Sequence, residues 1–227
     1  MKIERVSESI WSLKTWMIIP IHVWVVVDGA ELTLVDSGMP FMAKGILKFI
    51  DGLHTGPLKR ILLTHGHPDH VGSVTKIIDS KSVPIFAHQL EIPYIAGELP
   101  YPGRKKAKPN LAKGLAQPLS EDQAENLKDV AGLTPYLTPG HSPGHVVYFH
   151  KRDEILLAGD LFSSKNGRLH KPMFTPNMVD TLKSSLIVSE LKPKRVEVCH
   201  GDPVFNPAEQ LDEYIRTTSS SLSLSHS

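Results

Sequence analysis

Residues 64–70 read Thr64-His65-Gly66-His67-Pro68-Asp69-His70, placing three imidazoles and a carboxylate in six consecutive positions directly after the apolar run Ile61-Leu62-Leu63. Neutral imidazole nitrogens and charged carboxylate oxygens are the donor set of zinc, iron or manganese at a catalytic site. An extended segment leaving a strand points residues two apart to the same side, so His65 and His67 can converge on one ion. Asp69 and His70 fall where the chain turns into a helix, and they can address a second point. Further donors are expected at other strand ends, because termini along one sheet edge bring distant residues together. Three candidates fit: His141 within residues 138–145, Asp160 closing Leu156-Leu157-Ala158-Gly159-Asp160, and His200 after Val196-Glu197-Val198-Cys199. A single histidine is more often a packed or surface residue than a ligand. Five histidines and two aspartates in this order at predicted strand ends reverse that expectation.

The elements that must position these residues are legible from hydrophobic period. Residues 10–13, 22–27 and 31–35 are β-branched and aromatic runs, the last two separated by a turn containing Asp28-Gly29, a hairpin signal. Residues 41–52 carry apolar side chains at helical spacing, 60–63 form a buried strand, 69–79 a helix with Val71, Val74, Ile77 and Ile78 on one face, and 84–87 a short strand. Five prolines and the basic run Arg104-Lys105-Lys106-Ala107-Lys108 make residues 91–120 a long loop with one helical turn near its start. Strands follow at 136–137, 146–149 and 155–158, then a helix at 178–191, a strand at 195–199 and a closing helix at 207–217 introduced by Pro207. Two successive β-then-α passes suggest two similar halves packed sheet to sheet with helices outside. Residues 1–218 are read as one domain, and the serine-rich residues 219–227 as a peripheral low-complexity tail.

The chain has 227 residues, 41% hydrophobic and 22% charged, which excludes wholesale disorder and a membrane-embedded body. Residues 16–27, the longest apolar stretch near the start, are broken by Pro20 and His22 and are too short to span a bilayer. A cytoplasmic location is the default expectation. The single cysteine, Cys199, rules out an intramolecular disulfide and a cysteine-based zinc finger, so any metal must be held by histidine and aspartate. A net charge of +1 gives no whole-molecule case for nucleic acid, and residues 104–108 read as a solvated basic loop.

This order of motifs resembles the metallo-β-lactamase superfamily over roughly residues 10–217, including Asp36-Ser37-Gly38 at the position of that family's early Asp-x-Gly turn. The resemblance implies an α/β fold, a four-layer αβ/βα sandwich with the metals at one edge of two facing sheets. It further implies that His65, His67 and His141 bind one ion, Asp69, His70 and His200 a second, and Asp160 both. Two divalent ions, most often zinc with iron or manganese as alternatives, would supply a bridging hydroxide, and Asp69 would orient it or pass its proton on. His145 is expected to support a ligand rather than bind, Asp36 either to satisfy turn amides or to buttress a ligand, and Arg168, His170 and Lys171 to lie in a loop near the metals, most simply solvated. Tyr94, Tyr101 and Tyr148 are open candidates for a pocket wall or an oxyanion donor.

The intact His-x-His-x-Asp-His motif favours hydrolysis of a small-molecule ester, thioester or lactone, as in the glyoxalase II and lactonase branches. Hydroxyacylglutathione itself fits less well, because only residues 201–227 follow His200, where such relatives carry a helical extension for glutathione. Three alternatives share the motif: phosphodiester cleavage, with residues 104–108 tracking phosphate; iron-dependent persulfide oxidation; and a non-catalytic metal-binding module. The near-neutral charge disfavours the first, and retention of all seven donors disfavours the last.

Overall fold

A computed structural model describes residues 1–124 and 126–224. Strands β1 (Lys2–Arg5), β2 (Ile10–Trp16), β3 (Pro20–Asp28) and β4 (Glu31–Val35) form an antiparallel meander. Beyond β4, strands β5 (Leu58–Leu62), β6 (Ile85–Ala87) and β7 (Ala116–Pro118) add in parallel, completing a seven-stranded sheet in sequence order. Helices α1 (Ala43–Leu53), α2 (Pro68–Val71), α3 (Val74–Lys81) and α4 (Ile92–Ile95) occupy its crossovers. The second sheet comes from the other half of the chain: β8 (Leu133–Leu137), β9 (Val146–His150), β10 (Ile155–Leu157), β13 (Arg195–Glu197) and β14 (Val204–Phe205) lie in the order β14-β13-β10-β9-β8. A hairpin of β11 (Ser163–Lys165) and β12 (Arg168–His170) follows β10, and α5 (Met178–Ser184), α6 (Ile187–Leu191) and α7 (Leu211–Leu224) complete the described chain.

The two-residue period of the second sheet explains the layering. Val146, Tyr148, Ile155 and Leu157 join a core shared with β2–β5, α1 and α3, whereas Val147, Phe149, Leu156 and Val196 join a second core with Val188 of α6 and with Leu211 and Tyr214 of α7. One face of the sheet therefore meets the other sheet, and the opposite face meets helices. Polar bonds fasten the two sheets where they meet: Tyr148 Oη donates to Leu63 O at 2.8 Å, Val146 N to Thr64 O at 2.9 Å, and Trp24 Nε1 to Glu197 Oε2 at 3.1 Å.

Several boundaries differ from the sequence reading. The helix expected over 69–79 is two helices, with Ser73 Oγ in the break donating to Met39 O at 2.6 Å. The helix expected over 178–191 also breaks, at Ser185, whose hydroxyl donates back to Leu182 O. β1 escapes prediction because all four of its residues are exposed, and β7 because it is a three-residue edge strand inside the proline-rich loop. Helix α7 continues through Leu224, so Ser219 to Leu224 of the expected low-complexity tail are helical; residues 225–227 lie outside the described residues. No helix among the described residues is long and apolar enough to cross a membrane.

His22 on β3 is buried between the sheets, its Nδ1 2.8 Å from Ser12 Oγ. Burial, aided by the charge of Lys14, lowers its pKa to about 4. Between the unfolded value near 6.5 and about 4, the unfolded chain takes up a proton that the native chain refuses. Stability is accordingly lost as pH falls through that window. Urea unfolding of wild type and His22→Asn at pH 7, 6 and 5 is expected to show a steeper loss in the wild type, the two curves converging in slope above pH 7.

Candidate metal centre

Strand direction gathers the site. β4 and β5 run parallel, as do β10 and β13, while β8 is antiparallel to β9 and β9 to β10, so β8 points the same way as β10. The loops after β4, β5, β8, β10 and β13 carry Asp36, residues 64–70, His141, Asp160 and His200. Pro68 at the first position of α2 has no amide to satisfy, so the chain turns into that helix immediately after His67, putting Asp69 in its first turn and His70 in its last.

Two groups of donors result. His65 Nε2 lies 2.9 Å from His67 Nδ1, which lies 3.0 Å from His141 Nε2. Beside them, His200 Nε2 is 3.2 Å from Asp69 Oδ2 and 3.3 Å from Asp160 Oδ2, and His70 Nε2 is 3.6 Å from Asp160 Oδ1 and 3.9 Å from Asp69 Oδ2. Asp160 Oδ2 also lies 3.4 Å from His141 Nε2, so this carboxylate stands between the groups. All seven residues singled out from the sequence are thus brought together.

The far nitrogens of four imidazoles are tied down, which decides where their lone pairs point. Thr64 Oγ1 donates to Asp36 Oδ2 and so accepts from His65 Nδ1 at 3.1 Å. His70 Nδ1 donates to Asp36 Oδ2 at 2.8 Å, His141 Nδ1 to Thr175 Oγ1 at 2.9 Å, and His200 Nδ1 to Pro20 O at 2.9 Å. In each ring Nε2 is left facing the centre, the arrangement that metal-binding imidazoles adopt. His70 Nε2 and Asp160 Oδ1 are buried and have no hydrogen-bond partner among the described residues. A divalent cation would satisfy both, so the residues fit a metal.

Electrostatics separate the groups. Burial, reinforced by neighbouring imidazoles, holds His65 and His141 below the ordinary histidine range and His67 at about 3, leaving neutral donors. In the second group burial opposes charge on His70 and His200, but Cys199 and the surrounding aspartates prevail and raise both. Burial would raise Asp69 and Asp160; the facing imidazoles more than offset it, holding Asp69 at about 2 and Asp160 well below its usual value.

His145 does not face the shared centre. Its Nε2 accepts from the amide of Asp160 at 3.1 Å and its Nδ1 donates to Thr138 Oγ1, so it fixes the backbone that presents Asp160. Asp36 receives Thr64 N, Thr64 Oγ1 and His70 Nδ1, each at 2.8 Å. Arg168, His170 and Lys171 do not line the cleft directly above the donors: Arg168 pairs with Glu213 of α7, His170 borders a neighbouring cavity that reaches His200, and Lys171 one that shares Arg104, Met173 and Phe174 with the cleft. Arg104 lines the cleft instead, with Ile19, Tyr101, Met173 and Phe174 as further walls and a volume of about 160 Å³. The hydroxyls of Tyr148 and Tyr101 are engaged elsewhere, with Leu63 O and Glu91, so Tyr101 contributes a cleft wall, and Tyr94 packs against the Tyr101 ring. Sequence reasoning missed Cys199, whose buried thiol lies within 4.8 Å of the His70, Asp160 and His200 donors, although adjacency to His200 was an available signal. It also missed Thr175 and Glu91, for which no motif gave a signal.

The fold and this donor set define a class. The family model of the metallo-beta-lactamase superfamily matches residues 18–200, and the chain belongs to that superfamily, as a metal-dependent hydrolase. Among curated relatives, the probable metallo-hydrolase YybB of Bacillus subtilis (strain 168) is 38% identical over 93% of this chain and 94% of its own length. Hydroxyacylglutathione hydrolase GloC of Haemophilus influenzae is 31% identical over 64% of this chain and 68% of its own. Solved structures agree in fold: a metallo-beta-lactamase family protein of Thermus thermophilus superposes with a TM-score of 0.72 at 22% identity, covering 97% of this chain and 82% of that one. The FIM-1 metallo-beta-lactamase of Pseudomonas aeruginosa, in a mono-zinc form, gives 0.75 at 16% identity over 97% and 95%.

Asp36 supplies a direct check on this arrangement. Asp36→Ala frees the His70 ring and strands the Thr64 amide, and it is expected to weaken metal binding by about 10–100-fold. Competition against a chromophoric chelator measures this, and unchanged affinity would remove Asp36 from the centre.

Proposed function

We propose that the chain is a dinuclear metal-dependent hydrolase acting on a small ester, thioester or lactone. His65, His67 and His141 hold one divalent ion, Asp69, His70 and His200 the other, and Asp160 contacts both. The observation that carries this reading is the convergence of Asp160 Oδ2 on His141 at 3.4 Å and on His200 at 3.3 Å, which joins two donor groups at the floor of one cleft. Imidazole and carboxylate donors suit zinc best, with iron or manganese as alternatives. When bound, the ions supply an activated water and a Lewis acid for the substrate carbonyl.

The chain's own residues provide the rest. Asp69 is half-buried and opens onto the cleft, so the carboxylate oxygen that it leaves free of the second ion can orient the attacking water or pass its proton towards the leaving group. Met173 and Phe174 give one wall an apolar face for an acyl group, and Arg104 offers a cation to a substrate carboxylate. A net charge of +1 favours a small acyl compound over a polynucleotide. Similarity to GloC supports thioesters within this range. The one buried, unpaired cysteine supports a cytoplasmic setting.

Metal analysis of the purified protein, joined to a panel of thioesters, lactones and phosphodiesters, tests the reading. Two first-row metal ions per chain and turnover of a carbonyl ester are expected, with activity lost on chelation and regained on adding zinc. Asp69→Ala is expected to fall in kcat by about 10²–10⁴-fold, the usual contribution of a positioned proton acceptor. Protein that carries no such metal and hydrolyses none of the panel would refute the proposal. One iron per chain with oxygen uptake on a persulfide would replace it with oxidation.

A further inference from the structure

Glu91 is completely buried, and among the described residues its hydrogen-bond partners include no lysine or arginine. Its Oε1 accepts from the Gly66 amide at 3.0 Å and from Tyr101 Oη at 2.8 Å; its Oε2 accepts from Ser142 Oγ and from the Gly144 amide, both at 2.8 Å. All four partners donate. A carboxylate accepts on both oxygens, whereas a neutral glutamine would turn an NH₂ group against two of these donors.

The addresses of the four donors give this residue its meaning. Gly66 lies between His65 and His67 on the loop leaving the first sheet, and Ser142 and Gly144 lie between His141 and His145 on the loop leaving the second. Both glycines are needed for the approach. A Cβ on Gly144 would lie 2.4 Å from the Glu91 amide nitrogen, and one on Gly66 would lie 2.2 Å from Ile95 Cγ1 and 2.4 Å from Tyr101 Oη. Gly140-His141-Ser142-Pro143-Gly144 has the spacing of a serine nucleophile elbow, but the Ser142 hydroxyl is buried and committed to Glu91. Tyr101, the fourth donor, packs its ring 4.7 Å from that of His67, which brings the cleft wall into the same network.

We propose that Glu91 is the positioning residue of the first metal's histidines, one oxygen holding the His65–His67 loop and the other the His141 loop so that three imidazoles from two sheets meet. The proposal rests on the metal-centre reading above. The need for such a clamp is physical. When all three nitrogens, 2.9 and 3.0 Å apart, present lone pairs to an ion they repel one another, and the loops bearing them belong to different sheets, so the chain must hold them together. The carboxylate does so through four bonds that touch no ligand side chain.

The test is cobalt(II) titration of chelator-treated protein, with affinity read against a chromophoric chelator, coordination from the visible spectrum, and thermal unfolding of the metal-free form followed in parallel. Wild type is expected to take up two ions. Glu91→Gln is expected to lose affinity at one site by about 10–100-fold, with a changed cobalt spectrum, the effect typical of a group that orients ligands. Ser142→Ala and Tyr101→Phe each delete one bond and should lower that affinity roughly three- to tenfold, in line with a single net hydrogen bond. Should Glu91→Gln fail to fold, those two variants decide. A lowered melting temperature with unchanged affinity and spectrum would overturn the clamp and leave Glu91 a purely structural residue. Failure of the wild type to bind cobalt would overturn the metal-centre reading beneath it.

Discussion

Imidazole orientation is the constraint on which this structure turns. A histidine offers a lone pair in a chosen direction only when its other ring nitrogen is occupied, and here four rings are fixed that way by partners the chain brings from elsewhere. Thr64 and Asp36 serve His65 and His70, Thr175 serves His141, and the Pro20 carbonyl serves His200. The last of these partners comes from the sheet that does not carry the histidine in question. Pro20 opens β3 of the first sheet while His200 follows β13 of the second, so the centre is correctly formed only when the sheets are correctly packed.

That dependence gives the intersheet bonds a functional weight beyond their contribution to stability. Tyr148 from β9 reaches Leu63 O, Val146 reaches Thr64 O, and His22 N reaches Cys199 O at 3.2 Å, in each case one or two residues from a candidate ligand. The apolar core sets the distance between the sheets, and these polar ties set their register along the edge where the donors emerge. A slip of one residue would turn the alternating faces of β9 and β10 over, exchanging the two cores as well as scattering the donors.

What the sequence discloses follows the same division. The seven donors are legible because their chemistry is dense and local: His65 to His70 is a six-residue motif, and His141, Asp160 and His200 each follow an apolar run with a glycine alongside. Strand runs in the core are legible because burial writes a period into them. The partners that orient the donors are not. Thr175 and Pro20 are ordinary residues until the fold sets them beside an imidazole, and Glu91 sits at the start of a proline-rich loop, where an acidic residue reads as solvent-facing. Arg168, read as most simply solvated, is exposed and pairs with Glu213 on α7, whereas His170 of the same β11–β12 hairpin borders a cavity with His200.

The balance of charge connects the ligands to their supports. Asp36, Asp160 and Glu91 are buried and Asp69 is half-buried, and among the described residues the partners of these four carboxylates are imidazoles, hydroxyls and amides, with no lysine or arginine. Burying that much negative charge is costly; the raised imidazoles of His70 and His200 offset part of it at Asp69 and Asp160, and four hydrogen bonds relieve part of it at Glu91. The two divalent ions proposed for the centre carry the charge that the side chains lack. The first-group imidazoles are held neutral by burial, whereas carboxylates face the second group, with Asp160 standing between the two. The division of residues 64–70 between an extended segment bearing His65 and His67 and a helical turn bearing Asp69 and His70 therefore separates an all-imidazole group from one that includes carboxylates within one short stretch of chain.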